Sequence, residues 1–151
     1  HTLTHQDLTK LDKDTVYNEV YLDKQNLERM FDCQITGMAY PYGTYNDEVV
    51  QILKKCKIQY ARSVVSSGAF KLQKNLLIFK PTCHHADENI WELLEKFLKE
   101  KSEEKQLFYI WGHSYEFDVN NNWKRMEEIL DRLIGHNNIF YGTNREVLLP
   151  C

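Results

Sequence analysis

The sequence predicts an α/β fold with a mainly parallel sheet or barrel. Segments of helical periodicity alternate with short apolar runs along the whole chain, and that alternation is the signature of strands joined by crossover helices. Size agrees, because 151 residues at about 150 per domain make one domain with a single sizeable core. Composition agrees too. With 42% hydrophobic, 13% aromatic and 27% charged residues, 6 Gly and 3 Pro, the chain falls in the globular range and outside the disordered and collagen-like ones.

The first helix is expected from about Asp12 or Asp14, either of which could cap it, to about Met30, with Val16, Val20, Leu27 and Met30 near helical spacing. Residues 35–40 read as a strand stopped by Pro41 and Gly43. Asn46 caps the next helix, whose stripe is Val49, Val50, Leu53 and Cys56, and residues 58–64 read as the following strand. Ser66, Ser67 and Gly68 make a loop, and residues 76–79 a short buried strand before Pro81. A helix beginning near Asp87 places Ile90, Leu93, Leu94, Phe97 and Leu98 on one face. The charged run from Lys99 to Lys105 reads as its solvated end. Residues 107–111 are the next strand. A last helix carries Met126, Ile129, Leu130, Leu133 and Ile134, ends by Gly135, and precedes a strand around residues 139–141.

Charge and cysteine usage narrow the function classes. Lys and Arg total 19 against 22 Asp and Glu, a net charge of -3, and no block of basic residues stands ready to neutralise a phosphate backbone, so no nucleic-acid partner is expected. No apolar run approaches the roughly 20 residues of a spanning helix. The four cysteines (Cys33, Cys56, Cys83, Cys151) are irregularly spaced with no CxxC, which suggests neither a disulfide framework nor a zinc ribbon. The chain opens on His1 without an initiator Met and is expected to be a processed chain or a fragment.

In α/β folds ligands gather at the carboxyl ends of strands, so the polar clusters there are the candidates. His1 and His5 are four apart, and one helical turn would stack both imidazoles on one face as ligands of a single divalent ion; the bland reading is polar histidines at a frayed end. His84 and His85 are adjacent, and on a strand would face opposite ways, so at most one could join such a site. Cys83 is a possible thiolate ligand or a buried free cysteine. His113 follows a strand end beside Gly112, where a neighbour can come close. It reads as a general acid or base, or as a loop histidine bonded to a carbonyl. Trp111 and Tyr115 flank it as walls of a sugar site or as core and rim aromatics.

Together the clusters resemble one family. HTLTH at residues 1–5 resembles the H-[ST]-x-x-H metal motif of the polysaccharide deacetylases, the NodB-homology domains of carbohydrate esterase family four. AYPYG at residues 39–43 is similar to their R-x-P-Y-G motif, and GHSYEFD at residues 112–118 to their late histidine motif. The resemblance implies a distorted (β/α) barrel and a metal-dependent hydrolase that removes acetyl groups from the N-acetylated sugars of a glycan. It implies that His1 and His5 bind the metal, most often zinc, together with an Asp; His84 or Cys83 are further candidates on residue type alone. By the same resemblance the Tyr42 backbone N–H stabilises the oxyanion and His113 protonates the leaving amine; Pro41, Tyr42, Trp111 and Tyr115 are the candidate substrate contacts. Family members are often secreted or belong to the cell envelope.

Three departures qualify that expectation. The family's first motif, an aspartate pair serving as general base and third metal ligand, lies upstream of HxxxH, so the chain is expected to lack the first strand–helix portion and to be inactive alone. An exposed strand edge would then favour self-association. Ala39 stands where the family carries an Arg, and Arg62 at the end of the next strand could supply the guanidinium or pair with a surface carboxylate. The acidic, Trp-containing fourth motif is not recognisable. The alternative to an enzyme is a degenerate member that binds carbohydrate without hydrolysing it.

Overall fold

The computed structural model describes residues 1–149, so Cys151 lies outside the described residues. The chain divides into two compact units, one of residues 1–64, 73–80 and from 142 onward, the other of residues 65–72 and 81–141.

In the first unit Asp12, not Asp14, starts the long helix. Its carboxylate accepts from the N–H groups of Asp14 and Thr15, two donors that a helix start otherwise leaves unpaired. Helix α1 (Lys13–Phe31) buries Val16 and Val20. The expected stripe fails at Met30, which is 72% exposed. Lys24 takes the place of an apolar residue further down the face, its stem buried and its Nζ donating to the Ile35 carbonyl and to Glu28. Strand β1 (Gly37–Ala39) then pairs in parallel with β2 (Tyr60–Arg62), Gly37 opposite Tyr60 and Ala39 opposite Arg62. Gly37 is required because a Cβ there would stand 1.9 Å from the Tyr60 ring.

Between these strands runs α2 (Asp47–Lys55), capped as expected by Asn46, whose Oδ1 accepts from the Val49 N–H at 2.9 Å. It packs Val49, Ile52 and Leu53 into a core with Val16, Val20, Tyr40 and Ala61. The expected strand at residues 76–79 is instead a 3-10 turn, Leu76–Ile78, initiated by the Asn75 side chain. Phe79 alone joins the sheet, through one parallel bridge to Arg62. Short helix α6 (Asn144–Leu148), opened by a Thr143–Glu146 capping box, was not anticipated from the sequence.

The second unit is built on β3 (Cys83–His84) and β4 (Ile110–Trp111), again parallel, with Cys83 opposite Ile110. Helices α3 (Ile90–Lys99) and α5 (Trp123–Leu133) supply its core, in which Ile90, Leu94, Ile129 and Cys83 are fully buried. GHSYEFD is largely helix rather than loop, as α4 (Ser114–Val119). No strand forms at residues 139–141. The Tyr141 hydroxyl turns back to the Leu133 carbonyl at the end of α5, and Phe140 is left 71% exposed.

The fold is therefore α/β, with its strands parallel as expected. The barrel expectation is not met among the described residues, whose strands form two separate two-stranded sheets, neither of them closed. No helix is long and apolar enough to cross a membrane.

Candidate functional site

HTLTH does not form the helical turn that the four-residue spacing suggested. Thr2 and His5 take left-handed backbone angles, φ 63 and φ 59, yet the segment still brings the two imidazoles together, with ring centroids 4.6 Å apart and edge to face. Glu19 on α1 holds the segment in place. Its carboxylate accepts from the Thr4 N–H at 2.8 Å and the Thr4 hydroxyl at 2.7 Å, while its carbonyl accepts from the Leu3 N–H at 3.1 Å. Burial alone would raise the Glu19 carboxyl, but these hydrogen bonds keep it below its ordinary value. His1 Nδ1 lies 2.6 Å from the Ala39 carbonyl, which can only accept, so that nitrogen carries the proton and Nε2 presents its lone pair.

Tyr42 stands beside this pair, its ring 4.9 Å from that of His5. The turn around it is closed by the Gly43 N–H on the Tyr40 carbonyl at 3.0 Å and the Thr44 N–H on the Pro41 carbonyl at 3.3 Å. Tyr42 itself sits at φ 56 with its side chain exposed, and its N–H meets no acceptor among the described residues. Gly43 is fixed both by φ +72 and by Val64, 2.5 Å from where a Cβ would be. Pro41, expected as a sugar contact, is fully buried and shapes the turn instead. Arg62 is the register partner of Ala39, and its Nη1 donates to the Ser63 carbonyl at 3.4 Å.

In the second unit four side chains converge. Both adjacent histidines reach one carboxylate, against the expectation that they would face apart, because β3 ends at His84 and strand alternation does not extend to His85. His85 Nε2 is 2.5 Å and His84 Nε2 3.1 Å from Glu116 Oε2, and His113 Nδ1 is 3.1 Å from Glu116 Oε1. The close neighbour permitted by Gly112 is the His85 ring, whose Cδ2 lies 1.9 Å from where a Cβ would stand. His85 is 2% exposed, lies 4.2 Å from the Phe117 ring, and gives its carbonyl to Arg125. Desolvation would raise Glu116, but the bonds from His85 and then His113 win and hold its carboxyl at about 2.

His84, His85 and Glu116 bring one donor atom each within 4.8 Å of one another, a group of ligand type. Its hydrogen bonds do not fit a metal. The Ala86 N–H donates to His84 Nδ1 at 3.1 Å, so in the neutral ring Nε2 carries the proton and gives it to Glu116 rather than a lone pair to an ion. Desolvation, followed by the neighbouring His85, lowers His84 and keeps it neutral. His85 Nδ1 is buried with no partner, whereas a ligating histidine donates its other N–H to an acceptor. Cys83 is fully buried, and desolvation first of all pushes its thiol up to about 12. The His1 and His5 pair does fit a divalent ion, because the Ala39 carbonyl orients His1 in the way such ligands need.

Trp111 packs edge-on against His84 at 4.5 Å and is half buried. Tyr115, 61% exposed, lies 5.3 Å from the His113 ring. Sequence reasoning gave no role to Glu116 or Glu19. The first was legible from its place three residues after the helix-capping His113; the second resembled any helix-surface glutamate.

These parts amount to an imidazole pair suited to a divalent ion in one unit and a carboxylate-held histidine in the other. Residues 1–61 match the family model for polysaccharide deacetylase. The match takes in HTLTH and AYPYG; GHSYEFD lies beyond it. Similar solved structures include the Streptococcus pyogenes deacetylase PplD in complex with acetate, 26% identical with a TM-score of 0.50, the alignment covering 53% of this chain and 35% of that one. They also include proteins described as polysaccharide deacetylases from Bacillus anthracis, 32% identical over 44% of this chain and 20% of that one, TM-score 0.41, and from Bacillus cereus, 31% identical over the same shares, TM-score 0.41. The chain thus spans about a third of the length of the streptococcal protein. No curated protein matches it.

Proposed function

We propose that this chain supplies part of the catalytic machinery of a metal-dependent hydrolase that removes acetyl groups from N-acetylated sugars of a glycan. The observation that carries the reading is the HTLTH segment. Two imidazoles are held 4.6 Å apart on a strained backbone, with His1 tied at Nδ1 to Ala39, in a segment matched by the deacetylase family model. His1 and His5 would hold the ion, with zinc as the first candidate. When bound it supplies Lewis acidity toward the acetyl carbonyl and makes water a stronger acid.

The remaining work falls to the chain itself. The N–H of Tyr42 donates to the developing oxyanion, an interaction strongest where charge appears in the transition state. His113 protonates the leaving amine through Nε2, the nitrogen left over when Nδ1 faces Glu116. Arg62, beside Ala39, supplies the guanidinium that the family carries at the Ala39 position. Tyr115 stacks on a sugar ring, and the barrel belongs to the complete family domain. The 151 residues hold no adjacent aspartate pair, so on this reading they release no acetate by themselves.

The test is bound-metal content by elemental analysis, on this chain and on one extended upstream, followed by acetate release from N-acetylglucosamine oligomers. About one divalent ion and acetate release in the extended form are expected. Sugar binding without metal or acetate would replace the enzyme by a carbohydrate-binding module.

A further inference from the structure

We propose that Glu116 is a positioning residue for His113: it holds the imidazole with Nδ1–H turned inward and Nε2 outward, and is itself locked in place by His84 and His85. The inference rests on the reading of His113 as proton donor.

The donors and acceptors around Glu116 fix the arrangement. Glu116 Oε2 accepts from His85 Nε2 at 2.5 Å, His84 Nε2 at 3.1 Å and the His113 backbone N–H at 3.2 Å. Both imidazole donors to Oε2 are determined independently of the His113 ring. The Ala86 N–H fixes the His84 tautomer. Buried His85 Nδ1 meets no acceptor, which is tolerable for a lone pair and costly for an N–H. With Oε2 saturated, only Oε1 is left for the His113 ring, and it lies 3.1 Å from Nδ1. A carboxylate there can only accept, so Nδ1 carries the proton. When Nε2 takes a second proton, the resulting imidazolium faces an anion at Nδ1 and keeps Nε2–H as the donor.

Glu116→Gln isolates this role from helix capping. Glutamine accepts the His113 backbone N–H as glutamate does at the third helical position. Its amide, however, has one oxygen, which His84 and His85 draw to the Oε2 side, and its NH2 group must then face His113 Nδ1. The neutral ring is expected to invert to Nε2–H, and an imidazolium would point two donors at each other.

Long-range proton–nitrogen NMR spectra of the chain read this directly. In the wild type, neutral His113 should show an unprotonated, pyridine-type Nε2; in Glu116→Gln that resonance should move to the protonated, pyrrole-type position while His84 keeps its Nε2–H form. A wild-type ring already protonated at Nε2, or a ring unchanged by the substitution, overturns the assignment, and the wild-type spectrum decides even if the variant does not fold. In a longer protein containing this chain and shown to release acetate, kcat should fall about a hundredfold or more, with KM within about twofold. Tautomer inversion with kcat unchanged would instead overturn the role of His113 as proton donor, leaving its contact with Glu116 established.

Discussion

Replacing Gly112 by alanine tests the packing that brings the second-unit cluster together. The new Cβ would stand 1.9 Å from His85 Cδ2, 2.7 Å from Nε2 and 3.1 Å from Cγ. To reach ordinary van der Waals separation the ring must retreat by about 1.5 Å, and it has nowhere to go. It is 2% exposed, lies 4.2 Å from Phe117 and 4.3 Å from His84, and its own carbonyl is held by Arg125. Overpacking of this kind costs about 1–3 kcal/mol, and pulling Nε2 away from Glu116 forfeits a charge-assisted hydrogen bond of about 1.5–3 kcal/mol. A loss of about 3–5 kcal/mol is therefore expected in urea unfolding followed by far-ultraviolet circular dichroism. Gly135→Ala is the control, since it also sits at positive φ, +83, but has nothing within 4 Å of its would-be Cβ. It should lose only the left-handed backbone penalty, about 1–2 kcal/mol. Equal losses in the two variants would refute the steric argument, because both would then report backbone conformation alone.

Stability should depend on pH through Glu116. Its carboxyl is held at about 2 against an ordinary 4.5, so its contribution, at most about 3 kcal/mol, is complete above pH 4.5 and disappears as pH falls through about 2. Urea midpoints at pH 6, 4 and 2.5 should drop more steeply in the wild type than in Glu116→Gln, and parallel slopes would contradict the shift. Glu19→Ala should cost about 1–3 kcal/mol by orphaning the Thr4 N–H and hydroxyl, and should weaken divalent-ion binding in titration calorimetry; an unchanged Kd would show that Glu19 does not anchor HTLTH. At His5, φ 59 predicts that His5→Gly is more stable than His5→Ala by about 1 kcal/mol in thermal unfolding, although both lose the imidazole. Equal midpoints would remove the claim of strain.

Local signals survived into the structure where they depended on near neighbours. Asn46 caps α2, and the α3 stripe buries Ile90 and Leu94, as periodicity and capping chemistry anticipate. The same local chemistry explains the failure at residues 76–79: Leu76, Leu77, Ile78 and Phe79 read as a strand by hydrophobicity, but the Asn75 side chain offers the Leu77 N–H a turn partner, and a polar residue's competition with the ladder is not visible in an apolar run. What the sequence could not show was convergence across distance. His85 and Glu116 are 31 residues apart, and Glu19 meets Thr4 across 15. The strand rule for adjacent histidines also assumed a strand longer than the two residues that form. HTLTH was legible as a pair of neighbouring imidazoles but not as a conformation, because its geometry comes from Glu19 and Ala39 rather than from helical spacing.

Backbone strain separates the motif segments from the rest of the chain. Six non-glycine residues have positive φ among those described: Thr2, His5, Asp32, Tyr42, Lys57 and Asn121. Asp32, Lys57 and Asn121 follow the ends of α1, α2 and α4, where a left-handed residue terminates a helix and satisfies its last carbonyls. Thr2, His5 and Tyr42 terminate nothing, and all three lie in HTLTH and AYPYG. A left-handed non-glycine residue costs about 1–2 kcal/mol, and glycine at these positions would relieve it. The chain instead spends a buried carboxylate, Glu19, on holding the first segment and two turn hydrogen bonds on closing the second. A loop serving only to connect elements has no use for such an arrangement. A loop that must present two imidazoles and an unpaired N–H in one orientation does, and strain of this kind gathers where orientation is the function.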